Sequence, residues 1–279
     1  MSHNMNLIKL IALLSLALLV SSCSENKVQL THGTDESAGG GPAYIITTPL
    51  ATYYLEKEGG GLSSMLDKDG IDWIGFHKKP GSAHKGEYRG FPNAIHKQDG
   101  SYFHAMNAKT DPSSSVVSKE SNNHVRITFT SDNKQWEGQW DFYSDRCDFT
   151  MSKISEGHHY WIQYEGVPGG EMDTTDYWLS SNDNKMHNIK ESFNGDLSSP
   201  EWMAFGDQNA SRILYMLHHE DDDISDNYVY RADMTVLGFG RKNREKTTKH
   251  LNTVQTFSIG FVESTDYSDI SHVIKNIVN

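Results

Sequence analysis

HVRITFTSDNKQWEGQWDFY (residues 124 to 143) decides the fold class. Val125, Ile127 and Phe129 fall on one side of an extended chain, with Arg126 and Thr128 on the other. After the tetrad SDNK, Trp136, Trp140 and Phe142 alternate in the same way with Glu137, Gln139 and Asp141. A strand sends successive side chains to opposite faces, so this period of two predicts a hairpin with one face in a core. Similar runs, broken by Gly, Asn, Asp and Ser, follow in YWIQYE (160 to 165), RILYMLHH (212 to 219), MTVLGFGR (234 to 241) and VQTFSIGFVE (254 to 263). Together they predict an all-β fold, an antiparallel β-sandwich of the jelly-roll or supersandwich type. In the last stretch, DYSDISHVIKNIVN, Ile270, Val273, Ile274 and Ile277 share one stripe behind an Asp or Ser cap, which predicts a short C-terminal helix. No fixed period recurs, so propellers and solenoids are disfavoured.

The other end of the chain reads differently. Lys9, the apolar run LIALLSLALLV and the small residues before Cys23 have the make-up of a secretory signal. VSSC (Val20 to Cys23) resembles the lipobox of bacterial lipoproteins, which implies residues 1–22 as signal peptide, lipidation of Cys23 and a cell-envelope location in the outer membrane or periplasm. Residues 24 to 41, SENKVQLTHGTDESAGGG, lack apolar periodicity and suit a flexible tether from Cys23 onward. That leaves 42–279 as a single β-sandwich domain. With Cys23 lipidated, Cys147 has no partner for an intrachain disulfide, and the fold must stand on its core. The 279 residues hold 37 acidic and 25 basic side chains, a formal charge of −12. An acidic surface repels phosphate backbones, which argues against nucleic acid as a partner; a polyanionic glycan would bind only where a local basic cluster overrides the mean field.

There is no GxSxG, HExxH, GxxxxGK[ST] or GxGxxG motif, so serine hydrolase, zincin, nucleotide and dinucleotide readings lose their main support. What stands out is YRGFPNAIHKQDGSYFH (88 to 104), which sets Arg89, Asn93, His96, His104, Tyr88 and Tyr102 among turn residues. For an extracellular sugar-handling sandwich, these side chains match β-elimination of a uronic-acid glycan, a polysaccharide lyase reaction that requires no cofactor. Arg89 and Asn93 would neutralise the carboxylate beside the departing C5 hydrogen, His96 or His104 would take the proton, and Tyr102 or Tyr88 would protonate the leaving oxygen. Tyr102 and His104 are expected on one strand face, with Phe103 and Ala105 on the other. YWIQYE adds a second face, Trp161, Gln163 and Glu165, equipped to stack on a sugar ring and hold its hydroxyls. Trp202 is a second aromatic platform, and His218 is expected to reach the same concave face. HHEDDDISD (218 to 226) concentrates cation ligands, with His219, Glu220, Asp221 and Asp223 as candidates for Ca²⁺ or another divalent ion. Glu201 and Asp207 form a candidate glycosidase carboxylate pair.

The strings EGGGLSSMLDKDGIDWIGF, YRGFPN, YEGVPGG, PEWMAFGD and HHEDDD resemble a family of secreted proteins from bacteria that degrade marine polysaccharides. The resemblance spans most of the chain after the signal. It implies a β-sandwich of the galactose-mutarotase-like kind and an extracellular polysaccharide as partner, with the membrane touched only through the lipid anchor. Three expectations stand: a lyase, a non-catalytic glycan-binding lipoprotein, and a glycoside hydrolase or mutarotase-like enzyme working through Glu165, Glu201 or Asp207.

Overall fold

The computed structural model describes residues 27–76, 89–94, 99–242 and 249–279. The signal segment, Cys23, Tyr88 and His96 lie outside the described residues. The chain opens with an antiparallel meander of β1 (Gln29–Asp35), β2 (Gly41–Thr47), β3 (Ala51–Glu56) and β4 (Leu62–Asp67). β1 corrects the tether expected over residues 23–41. Every residue from Gln29 to Asp35 pairs with β2, and buried Asp35 accepts hydrogen bonds from Ser63 Oγ (2.6 Å) and Ser64 Oγ (2.7 Å) of β4. It is an edge strand held by backbone pairing, and most of its side chains are exposed, so no apolar alternation marks it in the sequence.

The rest of the chain follows the alternation. β5 (Ser113–Ser121), β6 (His124–Ser131), β7 (Glu137–Phe142) and β8 (Arg146–Lys153) form a second meander. The expected hairpin is β6 and β7, with Ile127 opposite Trp140 and the turn closed by Lys134 N–H on Ser131 O (2.8 Å). β9 (Ile162–Gly166), β10 (Asp176–Ser180), β11 (Asp183–Asn188), β12 (Phe193–Gly195), β13 (Glu201–Asp207) and β14 (Ile213–His218) come next. β15 (Asp226–Arg231), β16 (Met234–Phe239), β17 (Thr256–Val262) and helix α1 (Tyr267–Val278) complete the described fold.

These strands make two layers. One is a nine-stranded antiparallel sheet in the order β11-β10-β13-β14-β17-β8-β7-β6-β5. The other consists of two four-stranded sheets, β1-β2-β3-β4 and β12-β15-β16-β9. A two-residue bridge joins them: Leu62 of β4 donates to Phe91 O (2.8 Å), while Gly90 and Glu165 of β9 exchange both backbone bonds (2.8 and 2.9 Å). RGFPN (89 to 93) is therefore the seam of the second layer.

Aromatic pairs fill the space between the layers. Phe91 meets Trp140 edge-on with centroids 5.7 Å apart, Tyr164 meets Phe205 at 5.5 Å, and Tyr53 meets Phe142 at 5.3 Å. Such contacts each add about 0.5–1.5 kcal/mol beyond the area that they bury. On the outside of the nine-stranded sheet, α1 lays Ile270 and Ile274 over Trp202, Tyr215 and Leu217. Its N-cap is Asp266, whose Oδ1 accepts from Ser268 N–H (2.8 Å), as the sequence predicts.

Candidate functional site

β9 carries the site because its two faces do different work. Ile162 and Tyr164, with Tyr160 just before them, enter the core between the layers. Trp161, Gln163 and Glu165 face outward and span roughly 13 Å of strand at the usual rise per residue. The seam strand lies alongside, with Gln163 N–H on Pro92 O (2.6 Å). That pairing places Asn93 over the outer face, where its Nδ2 donates to Glu165 Oε2 (3.3 Å) and its backbone O accepts from Trp161 Nε1 (3.2 Å). β16 borders the other side, with Val236 opposite Glu165 and Gly238 opposite Gln163. A side chain at position 238 would collide with its neighbours: a Cβ there would sit 2.9 Å from Arg241 Cδ and 3.4 Å from Gln163 Cγ. Glycine therefore lets Arg241 lie across the face.

The electrostatics of this face run against those of the whole chain. Burial pushes the Glu165 carboxyl up to about 7, against the opposing pull of Arg231, Arg241 and Arg89, which favour its ionised form. The Arg241 guanidinium (5.3 Å) and Lys249 Nζ (5.4 Å) both lie over the Trp161 ring. Arg89 is buried and donates to Gly75 O (2.7 Å) and Asp233 O (2.5 Å), so its charge is fixed beside Glu165 by backbone carbonyls. Asn93 Oδ1 and Arg231 Nε are buried without a hydrogen-bond partner among the described residues. The face thus gathers cations around one neutral-range carboxyl and leaves one acceptor and one donor without a hydrogen-bond partner among the described residues. Close to the Trp161 end, His250 follows Lys249, and burial, Lys242 and His159 hold its imidazole below the usual histidine range.

Of the residues expected from the sequence, Arg89, Asn93, Trp161, Gln163 and Glu165 are brought together. Trp161 is not a bare platform for a sugar, however. It is 4% exposed, and it serves as the bed for two cations. Arg231, Arg241 and Lys249 were not singled out from the sequence. For Arg241 and Lys249 the only signal there is a basic run, RKNREKTTK (241 to 249), following a predicted strand in an otherwise acidic chain; Arg231 carries no signal of its own.

The remaining candidates lie elsewhere. His104 is buried and caps a short 3₁₀ turn (Ala105–Lys109), its Nδ1 accepting from Met106 N–H (3.0 Å). Tyr102 is buried against Gly100 and donates to Asp99 O (3.3 Å); burial and Asp99 push its hydroxyl further from ionisation. The expected strand through Tyr102 and His104 is absent, because Phe103 takes a positive φ of 57° and breaks the alternation. Trp202 is 1% exposed and packs on Tyr267 beneath α1, with ring centroids 5.4 Å apart, so it cannot stack on a ligand. His218 points between the layers, stacked on Phe257 and bonded to Glu201 Oε2 (2.6 Å) and Gln255 Oε1 (3.0 Å).

His219 turns to the opposite face, as alternation requires, and pairs with Ser258 Oγ (2.6 Å), which itself donates to Asp148 Oδ1 (2.6 Å). Ser258 is fully buried and spends its hydrogen on the carboxylate, so this trio is no nucleophile system. Glu220 accepts from Thr256 N–H (2.8 Å), and Asp221 and Asp223 are exposed. The four do not converge. In that region the carboxylates that do are Asp196, Glu201 and Asp222. Glu201 and Asp207 occupy the two ends of β13, roughly 20 Å apart along the strand. A glycosidase pair needs about 5–9.5 Å, so they do not form one.

No protein-family model and no curated protein sequence matches the chain. Solved structures do resemble it. The protein HI1317 superposes with a TM-score of 0.54 at 14% identity, over 85% of this chain and 100% of that one. A protein from Salmonella typhimurium described as a candidate mutarotase, YeaD, gives 0.50 at 12% identity, over 84% and 93%. A galactose mutarotase related enzyme from Lactobacillus acidophilus gives 0.48 at 8%, over 80% and 99%. The chain thus has a mutarotase-like antiparallel β-sandwich fold, as its sequence resemblance implies. At such identities the likeness is one of fold.

Proposed function

We propose that the chain acts on an anionic carbohydrate by proton transfer, as a mutarotase-like enzyme with Glu165 as the proton carrier. The observation that carries this is the Glu165 carboxyl, balanced near pH 7 among Arg89, Arg231 and Arg241 on an outward strand face. Interconverting the anomers of a reducing sugar needs a base to take the O1 proton as the C1–O5 bond opens. It also needs an acid to protonate the ring oxygen, and both transfers reverse on closure from the other face. A carboxyl half-ionised at neutral pH takes and returns that proton with the least driving-force penalty. The arginines and Lys249 would hold a carboxylate, sulfate or phosphate on the sugar, and Asn93 and Gln163 its hydroxyls. His159, beside His250, is the candidate imidazole for the complementary acid, since His250 is held below the usual histidine range.

Elimination of a uronate glycan is the second reading, favoured by the same arginines, since they suit an ionised carboxylate; its base would then be Glu165 rather than His104. One assay separates the two. Anomer exchange is followed by NMR for uronic acids, sugar phosphates and neutral hexoses, while ultraviolet absorbance follows unsaturated product from uronate polysaccharides. Exchange accelerated only for anionic sugars is the expected result. Growing absorbance would favour elimination, and binding without either reaction would leave a glycan-binding protein. Trp161→Ala, by loosening Arg241 and Lys249, should weaken binding of an anionic sugar by about tenfold and leave neutral-sugar binding unchanged by calorimetry.

A further inference from the structure

We propose that Asp173, Asp176 and Asp207 hold a divalent cation, Ca²⁺ by ligand chemistry, which clamps the loop following β9 to the end of β13. Asp176 opens β10 directly opposite Asp207, the last residue of β13. Asp173 lies three residues earlier, and one oxygen from each of the three carboxylates falls within 4.8 Å of the others. The acidity of the cluster alone would carry little. What points to a ligand is Asp176, which is 2% exposed and whose Oδ1 has no hydrogen-bond partner. Its Oδ2 is satisfied by Asp173 N–H (2.8 Å), so one oxygen is spent on the protein and one is left over.

Thr175 supports the same conclusion. Its Oγ1 lies 2.6 Å from Asp173 Oδ1 and 2.7 Å from Asp207 Oδ1, and it accepts from Asn209 Nδ2 (3.1 Å). One hydroxyl hydrogen cannot serve two carboxylates, so the cluster is short of positive charge. Burial, together with the charges of Asp173, Asp207 and Glu171, pushes the Asp176 carboxyl up to about 7. A proton or a cation would relieve that repulsion, and three carboxylates with no nitrogen or sulfur ligand suit a hard, oxygen-seeking ion over zinc or copper. The loop after Glu165 is pressed onto this cluster. Gly169, at a φ of 63°, packs so closely on Asp207 that a side chain there would collide with its carboxylate.

The test is thermal denaturation of the full chain, stripped with EGTA and then titrated with Ca²⁺ alone. Saturating Ca²⁺ should raise Tm by roughly 5–10 °C, as expected for a ligand at about a hundred times its Kd on a domain of this size. Asp176→Asn and Asp207→Asn should each abolish the rise. Asp173→Asn, at an exposed position, should weaken it. Asp222→Asn, in the separate group with Asp196 and Glu201, should leave it intact. No rise at millimolar Ca²⁺ would mean a protonated cluster and overturn the proposal. A rise that survives Asp176→Asn and Asp207→Asn would overturn it as well.

Discussion

Glu165→Gln should lower turnover by about 10²–10⁴-fold while making the protein more stable at pH 8. The two effects share one cause. Glu165 is pushed from the ordinary glutamate value of 4.5 to about 7, chiefly by burial. Between those values the unfolded chain has released the proton and the folded chain still holds it. The folded state therefore binds more protons, and its stability falls as pH rises through that window. The full effect, reached above pH 7, is about 3 kcal/mol. Glutamine keeps an oxygen for Asn93 Nδ2 and never ionises, so it removes the penalty together with the proton carrier. Urea denaturation at pH 4.5 and pH 8 is the check. The two proteins should agree in stability at the lower pH, and the variant should lead at the higher. Turnover that survives the substitution, or a stability slope between these pH values unchanged from the wild type, would show that another group titrates.

What could be read in the sequence was what depends on local period. Alternation in HVRITFT, WEGQWDFY and YWIQYE fixes which side chains face the core, because strand geometry leaves one choice once a single face is apolar. The stripe and cap of α1 are equally local. For the same reason the triplet Trp161, Gln163 and Glu165 was legible as one outward face, and the turn residues of YRGFPN marked a segment with something to place. That the segment is a seam between two sheets was not legible, since Gly90 and Phe91 show no pattern of their own and are ordered by β4 and β9 on either side. β1 escaped notice because an edge strand needs only backbone pairing. Trp202 was misread because a sandwich strand leaves open which side a later helix will cover. Arg231 and Arg241 reach Glu165 through the register of β15 on β16 and of β16 on β9. Register across some seventy residues is settled by the whole core.

The largest expected loss of stability comes from Arg212→Ala, at the residue just before β14. Arg212 is 3% exposed and pairs with Asp67 Oδ2 (2.5 Å), Asp69 Oδ2 (2.5 Å) and Glu263 Oε1 (3.1 Å). Those partners are the last residue of β4, the turn after it and the residue following β17, so one guanidinium ties the two layers together. Burial would push the Asp67 carboxyl up, but Ile71 N–H, Arg212 and Trp73 Nε1 together hold it below the ordinary aspartate value. Removing the guanidinium strands a buried carboxylate, a loss of about 3–5 kcal/mol when one partner of a buried pair is deleted. The sign with pH follows. A depressed aspartate pKa contributes stability that is present above the unfolded value and is lost as pH falls through the folded one. The variant lacks that contribution, so its deficit should be largest at neutral pH and shrink on acidification below about pH 4. Adding Asp67→Asn to Arg212→Ala should recover part of the deficit at pH 7, because the stranded charge is then gone while Trp73 Nε1 keeps an acceptor. If the deficit is independent of pH and unmoved by Asp67→Asn, Arg212 acts through packing of its stem, and the clamp is not electrostatic.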